Sequence, residues 1–139
     1  MTVVLNAPAG FGPDVEAEIV LSKGTFSIRY DMDRETGIIS RRGHALEGCS
    51  LAGKIVYFPG VQGGVAAGWA FLALVHRGVA PAGVLFRRTN PVMVQGLVLA
   101  GIPVLHRVSP DPLTVLETGD LVRMSPARGT VTLVSKRGG

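Results

Sequence analysis

A chain of 139 residues, of which 47% are hydrophobic and only 17% charged, is expected to fold as one domain with a real core, residues 1–139. The net charge is +4, but the basic residues are scattered and no recognition motif accompanies them, which argues against nucleic acid as a partner. The only cysteine, Cys49, excludes an intrachain disulfide and any cysteine-ligated cluster or zinc site built from this chain alone.

The N-terminal part of the chain predicts β-structure. Alternating apolar residues indicate a strand over 15–22, and β-prone residues indicate a second strand over 24–30. The Asp and Gly residues of 33–37 favour a turn, and irregular chain with a short strand follows it.

The middle of the chain alternates between strands and helices. The predicted order is strand 54–60, helix 65–77, strand 82–88, helix 89–101 and strand 102–108. Gly78 ends the first helix. In the second helix, Asn90 is typical of an N-cap, Pro91 of the first helical position and Gly101 of the residue that follows the end. This order predicts a parallel sheet with right-handed crossovers. The helix over 65–77 is apolar nearly all round, so we expect it to be covered on several sides.

The C-terminal part, residues 118–136, predicts two further strands joined by a turn at 125–129. Together with the N-terminal strands they would form a β-rich layer beside the small β/α unit. The predicted fold class is therefore α/β, of the β/β/α type.

A glycine-rich loop between the first central strand and the first long helix is the main candidate site. Ligands of open α/β sheets lie outside the carboxyl ends of the strands, and unpaired N–H groups at a helix start favour anions. Gly63, Gly64 and Val65 are therefore predicted to bind a carboxylate or phosphate. The loop is neither a Walker loop nor a dinucleotide-binding fingerprint. The alternative is that its glycines only permit a tight turn and close packing.

Two further side chains are candidates beside this loop. Arg88 ends the second parallel strand at the same edge of the sheet and could pair a carboxylate bidentately, or be a solvated or partner-facing charge. His44 could orient a substrate or simply lie in a surface turn. The three histidines, at positions 44, 76 and 106, share no spacing that indicates a metal site.

Several blocks of this sequence resemble one family in order. "DRETGIISRRGHALEG", "LEGCSLAGKIVYFPGVQGG" and "APAGVLFRRTNPVMVQGLVLAGIPVLHRV" are similar to the small subunit, or swivel domain, of aconitase X, over roughly residues 14–135. His44 falls on a position that matches the family's pattern. The resemblance implies a swivelling β/β/α domain that shares an active site with a large subunit. Dehydration of small hydroxy acids, such as mevalonate 5-phosphate or cis-3-hydroxy-L-proline, is the chemistry it implies.

The same resemblance implies that this chain carries no cofactor, and that an iron–sulfur cluster or metal lies in the large partner. In family members the loop normally carries a serine that acts as a base or substrate ligand, and Gly64 stands at that place here. The catalytic residue is therefore unknown, whereas the backbone of Gly63, Gly64 and Val65, with Arg88 and His44, would still bind the substrate. The chain is expected to be a hydro-lyase subunit that is inactive alone. The alternative is a non-catalytic binding or scaffold domain that kept the fold.

Two observations bear on where the protein acts. No basic region followed by an apolar run marks a signal peptide, and the longest apolar stretch, residues 65–75, is too short to span a bilayer. A cytoplasmic location with no membrane partner is therefore expected.

Overall fold

A computed structural model describes residues 3–23, 26–27, 32–33, 36, 38–40, 42, 48–62, 65–88 and 91–137. The strands are β1 Val4–Asn6, β2 Val15–Leu21, β3 Phe26–Ser27, β4 Met32–Asp33, β5 Ile38–Ile39, β6 Ile55–Phe58, β7 Val61–Gln62, β8 Gly83–Phe86, β9 Val104–His106, β10 Leu121–Ser125 and β11 Thr130–Ser135. The helices are α1 Val65–His76, α2 Pro91–Ala100 and the short α3 Pro112–Val115.

Seven strands form one mixed sheet in the order β1-β11-β10-β2-β6-β8-β9. The neighbours β2, β6, β8 and β9 run parallel, while β10, β11 and β1 continue the sheet in antiparallel fashion. All the residues of β6 and β8 are buried, because helices or strands cover both faces of a parallel sheet. The predicted β/α unit and β-rich layer are therefore parts of one continuous sheet.

The segment that follows β1 joins the two edges of this sheet. Asn6 and Ser109 exchange two backbone hydrogen bonds of 2.8 Å each, and Phe11 and Val104 exchange two more of 2.9 and 3.1 Å. Since Asn6 also pairs with Thr130 of β11, the sheet closes on itself like a small barrel.

Strand alternation divides the core into two clusters. The inner cluster takes residues from all seven strands and fills the closed sheet: Leu5, Ile19, Ile55, Tyr57, Leu85, Leu105, Val108, Leu116, Val122, Met124 and Val131. The outer cluster packs the opposite face of the parallel strands against the two long helices, and it includes Val56, Phe58, Phe71, Phe86 and Leu97. Consecutive residues such as Tyr57 and Phe58 therefore lie in different clusters, as the two-residue period of a strand requires.

The two long helices pack against each other outside the barrel. α1 ends one residue earlier than predicted, at His76, and Gly78 follows with a φ of 73°. α2 begins at Pro91, as predicted, and Gly101 follows it with a φ of 74°. Both glycines adopt the left-handed conformation that commonly ends a helix. The predicted N-cap, Asn90, lies outside the described residues.

The sequence did not predict β1 or α3. Strand β9 is also shorter than the predicted strand over 102–108, because Arg107 has a φ of 56° and leaves the extended conformation. Within the described part of the chain, no helix is long and apolar enough to cross a membrane.

Candidate functional site

The candidate site lies at the edge of the barrel where the four parallel strands end. The segments that leave these strands begin at Ser22, Pro59, Arg87 and Arg107, after β2, β6, β8 and β9 respectively. Three backbone hydrogen bonds hold these segments to their neighbours: Arg88 N–H donates to Pro59 O at 3.1 Å, Arg87 N–H to Phe58 O at 3.2 Å, and Ser22 N–H to Tyr57 O at 3.0 Å. This carboxyl edge, defined by the four segments, is where open α/β sheets bind their ligands.

The start of α1 belongs to this edge. β6 ends at Phe58, the short strand β7 follows and pairs in parallel with β3, and α1 then begins at Val65. The predicted anion-binding residues Gly63 and Gly64 lie outside the described residues, as does His44. The structure thus places Val65 at the helix start, where the first backbone N–H groups lack partners within the helix.

Basic side chains dominate the described part of the carboxyl edge. Lys23 follows β2, Arg87 and Arg88 follow β8, and Arg107 follows β9, and all four are exposed. The fourth parallel strand, β6, leads instead into the glycine-rich loop. A row of cations at one end of a barrel attracts an anionic ligand.

Arg88 is the predicted binding residue that the structure describes in full. Its backbone contact with Pro59 places it beside the segment that leads into α1. Among the described residues no carboxylate forms an ion pair with Arg88, so its exposed guanidinium has not been neutralised by them. The prediction that Arg88 and the segment leading into α1 lie at the same edge of the sheet is confirmed. Substrate binding by Arg88 stays a prediction.

A second polar group lies at the same end of the barrel, on the inner side. The Tyr57 hydroxyl is completely buried and makes no hydrogen bond of ordinary geometry with a described residue. Its pKa is raised to about 12, chiefly by burial; the Asp111 carboxylate also raises this pKa, through its charge and as a hydrogen-bond acceptor, whereas Arg87 lowers it. Arg87 Nη1 lies 4.0 Å from Asp111 Oδ2.

Sequence reasoning missed both Asp111 and Tyr57. The signal for Asp111 was the sequence Asp-Pro, typical of an N-cap followed by the first helical residue, and Asp111 Oδ1 does accept the Leu113 N–H of α3 at 3.0 Å. The signal for Tyr57 was one hydroxyl in an otherwise apolar strand. Arg87 precedes the candidate Arg88 in the sequence, but no pattern indicated its partner.

The remaining polar candidates that the structure describes do not assemble into a metal site. His76 is exposed at the end of α1, whereas His106 is half-buried at the end of β9. Cys49 packs partly buried against the outer cluster. No group of three or more His, Cys, Asp or Glu residues in the described ranges could hold a metal ion. The donors that the structure describes therefore do not fit an iron–sulfur cluster or metal, and the placement of that group in the large partner stays a prediction.

A closed mixed sheet, two crossover helices on one side and a glycine-rich loop at the carboxyl edge define a swivelling β/β/α domain, as the sequence predicted. A crystal structure of holo-form aconitase X from Thermococcus kodakaraensis has the same fold, with a TM-score of 0.87. The match covers 96% of this chain and 99% of that one at 27% identity.

The chain belongs to the aconitase X swivel domain family, whose model matches residues 5–133. The phosphomevalonate dehydratase small subunit of Methanopyrus kandleri is 36% identical over 112 residues, which cover 81% of this chain and 83% of that protein. The phosphomevalonate dehydratase small subunit of Methanosarcina acetivorans is 28% identical over 123 residues, 88% and 85% of the two chains. The predicted family, and the predicted role as a small subunit of an aconitase X-type hydro-lyase, are confirmed.

Proposed function

We propose that this chain is the small subunit of a phosphomevalonate dehydratase and that its carboxyl edge binds the anionic groups of phosphomevalonate against a large partner subunit. The observation that carries the proposal is the row of exposed basic residues at that edge, beside the start of α1. The names of the relatives support the substrate class, because phosphomevalonate carries both a carboxylate and a phosphate.

In this proposal the chain contributes binding and orientation. The backbone N–H groups of Gly63, Gly64 and Val65 receive one anionic end of the substrate, with Arg88 as the opposing cation. His44 lies among the substrate-binding residues by its match to the family pattern. Closure of the domain over the partner then excludes water, which strengthens each of these electrostatic contacts.

Dehydration removes a proton and a hydroxyl group from adjacent carbons. The base that takes the proton is not assigned to this chain, because Gly64 has no side chain that can move a proton. We place the iron–sulfur cluster or metal in the large partner, where it would act as a Lewis acid for the hydroxyl group.

Co-expression with the large subunit encoded in the same genome tests the proposal. We expect a stable complex that converts phosphomevalonate with the loss of one water, followed by mass spectrometry, and no turnover by this chain alone. The control is the same complex with Arg88→Ala, which should raise KM more than it lowers kcat, because the lost contact is made in the bound ground state as well. A complex that forms but leaves phosphomevalonate unchanged would contradict the substrate assignment.

The glycine at position 64 favours a second candidate function, a binding or scaffold domain that kept the fold without catalysis. Gly64→Ser restores the hydroxyl that the family normally carries. Under the scaffold hypothesis the wild-type complex is inactive and the Gly64→Ser complex gains turnover. Turnover by the wild-type complex rules this hypothesis out.

A further inference from the structure

Two adjacent arginines follow β8 at the carboxyl edge. Leu85 faces the inner cluster and Phe86, the last residue of β8, faces the outer one. Arg87 turns to the inner side, where its Nη1 lies 4.0 Å from Asp111 Oδ2. Arg88 N–H donates to Pro59 O on the segment that leads toward α1, so the carboxyl edge offers an inner cationic position at Arg87 and a second one beside that segment.

Asp111 is held rigidly at the inner position. Its Oδ1 accepts the Leu113 N–H at 3.0 Å, and its main-chain carbonyl accepts both the N–H and the hydroxyl of Thr114, at 2.9 and 2.7 Å. Leu113 in turn packs against the inner cluster. Only Asp111 Oδ2 is left to face Arg87, so the carboxylate fixes the direction from which the guanidinium approaches.

Arg87 itself remains available to a ligand. Its side chain is 62% exposed, and 4.0 Å is the outer limit of an ion pair, well beyond the 2.7–2.9 Å of a charge-assisted hydrogen bond. Arg107, exposed at the end of the neighbouring strand β9, adds a second positive charge at this edge. A guanidinium that is oriented but not saturated suits bidentate binding of a phosphate.

The Tyr57 hydroxyl is the third polar group at this inner position, beside Arg87 and Asp111. A buried hydroxyl that makes no hydrogen bond of ordinary geometry with a described residue is costly, and few such groups persist in proteins without a reason. The charged groups that act on it are Asp111 and Arg87. When Arg87 turns toward an anion, Asp111 loses its counter-ion, and the Tyr57 hydroxyl is the donor placed to replace it.

We propose that Arg87 binds the phosphate group of the substrate, that Asp111 positions Arg87, and that Tyr57 donates to Asp111 once the phosphate is bound. This inference rests on the proposed function and adds a second anion subsite to it, on the inner side of β8. The substrate carboxylate then falls to the start of α1 and Arg88. Arg87 becomes the residue that selects phosphorylated hydroxy acids over unphosphorylated ones.

The test uses the complex with the large subunit. Arg87→Ala should raise KM for phosphomevalonate about tenfold or more with kcat little changed, and should weaken competitive inhibition by inorganic phosphate to a similar extent. Arg123→Ala is the matched control. The Arg123 side chain has a similar exposure, but it lies on β10 and pairs with Glu16 on β2. An unchanged phosphate inhibition constant in Arg87→Ala overturns the inference.

The tests of Asp111 and Tyr57 must measure quantities that a simple loss of stability would not change in the same way. Asp111→Asn and Tyr57→Phe should each raise KM severalfold with kcat unchanged, and Asp111→Glu should restore part of the loss. In the chain alone, Asp111→Asn should also lower the pKa of Tyr57, because the carboxylate contributes to raising it. An unchanged tyrosine titration in Asp111→Asn shows that the two groups do not interact and overturns the positioning role.

The two proposals fail in different ways. If the wild-type complex does not dehydrate phosphomevalonate, the proposed function is wrong. Calorimetric titration of that complex with inorganic phosphate still decides the subsite: binding that Arg87→Ala abolishes supports it, and binding that Arg87→Ala leaves intact overturns it.

Discussion

Asp120 is a fully buried carboxylate, and we expect its replacement by asparagine to destabilise the chain strongly. Its Oδ2 accepts the Glu117 N–H at 2.9 Å and the Lys136 ammonium at 3.2 Å, and its Oδ1 accepts the Arg137 N–H at 2.7 Å. These bonds tie the residues after β11 to the turn that precedes β10. This turn also bonds to β2 near its carboxyl end, since Gly119 N–H donates to Ile19 O.

The structure sets the size of the effect. Asp120→Asn keeps the shape of the side chain but turns an NH₂ group toward at least one of its donors. The loss of one hydrogen bond to a charged group costs about 1.5–3 kcal/mol, and an unpaired buried N–H adds about 1–3 kcal/mol. We therefore expect a loss of about 3–5 kcal/mol. With an unfolding entropy of about 2.1 cal/mol/K per residue, this lowers Tm by roughly 10–15 °C.

Thermal unfolding followed by circular dichroism measures this loss. Glu16→Gln is the control, because it makes the same chemical change at an exposed ion pair with Arg123 and should cost less than about 1 kcal/mol. A change in Tm of less than about 3 °C for Asp120→Asn would refute the reasoning, since it would mean that the three hydrogen bonds contribute almost nothing.

The pH dependence of this effect has a definite sign. Burial by itself raises the pKa of Asp120, but the N–H donors of Arg137 and Glu117 and the Lys136 ammonium together bring this pKa below its ordinary value of 3.8. The stabilisation is therefore present above pH 3.8 and is lost as the pH falls through the lower pKa of the folded chain. The difference in stability between the wild type and Asp120→Asn should narrow in that range.

Three further predictions concern the core. Gly83→Ala should cost about 1–3 kcal/mol in urea unfolding, because the added Cβ would overlap the sulfur of Met124, and Met124→Ala in the same chain should relieve part of that cost. Burial is the main cause that raises the pKa of Tyr57 from 10 to about 12. The free energy of unfolding should therefore fall by up to about 1.4 kcal/mol per pH unit between pH 10 and about pH 12, and Tyr57→Phe should lack this loss. Leu97→Ala should cost about 2–5 kcal/mol, whereas Leu99→Ala on the same helix, at 64% exposure, should cost less than about 0.5 kcal/mol.

Much of the fold follows from local patterns that the sequence displays. The alternation of apolar residues predicted β2, and strand-like stretches of the sequence also predicted β6, β8 and β10. Pro91, Gly78 and Gly101 marked the boundaries of the two long helices because their backbone preferences act within a few residues. The family blocks in the sequence also indicate the swivel fold and the hydro-lyase class.

The closure of the barrel could not be predicted in this way. It depends on backbone bonds between Asn6 and Ser109 and between Phe11 and Val104, which lie about a hundred residues apart in the chain. Backbone donors and acceptors are the same in every residue except proline, so such a pairing leaves no signature in the side chains. β1 and its link to β9 therefore appeared only in three dimensions.

The candidate site, like the fold, could be predicted from the sequence only in part. The sequence by itself determined that a glycine-rich loop and Arg88 follow adjacent parallel strands, since parallel strands share one carboxyl edge. Only the tertiary structure decided that Arg87, Asp111 and Tyr57 meet on the inner side of that edge. Their meeting requires α3 to cross the end of a closed sheet, and closure is a property of the whole chain that no local pattern contains.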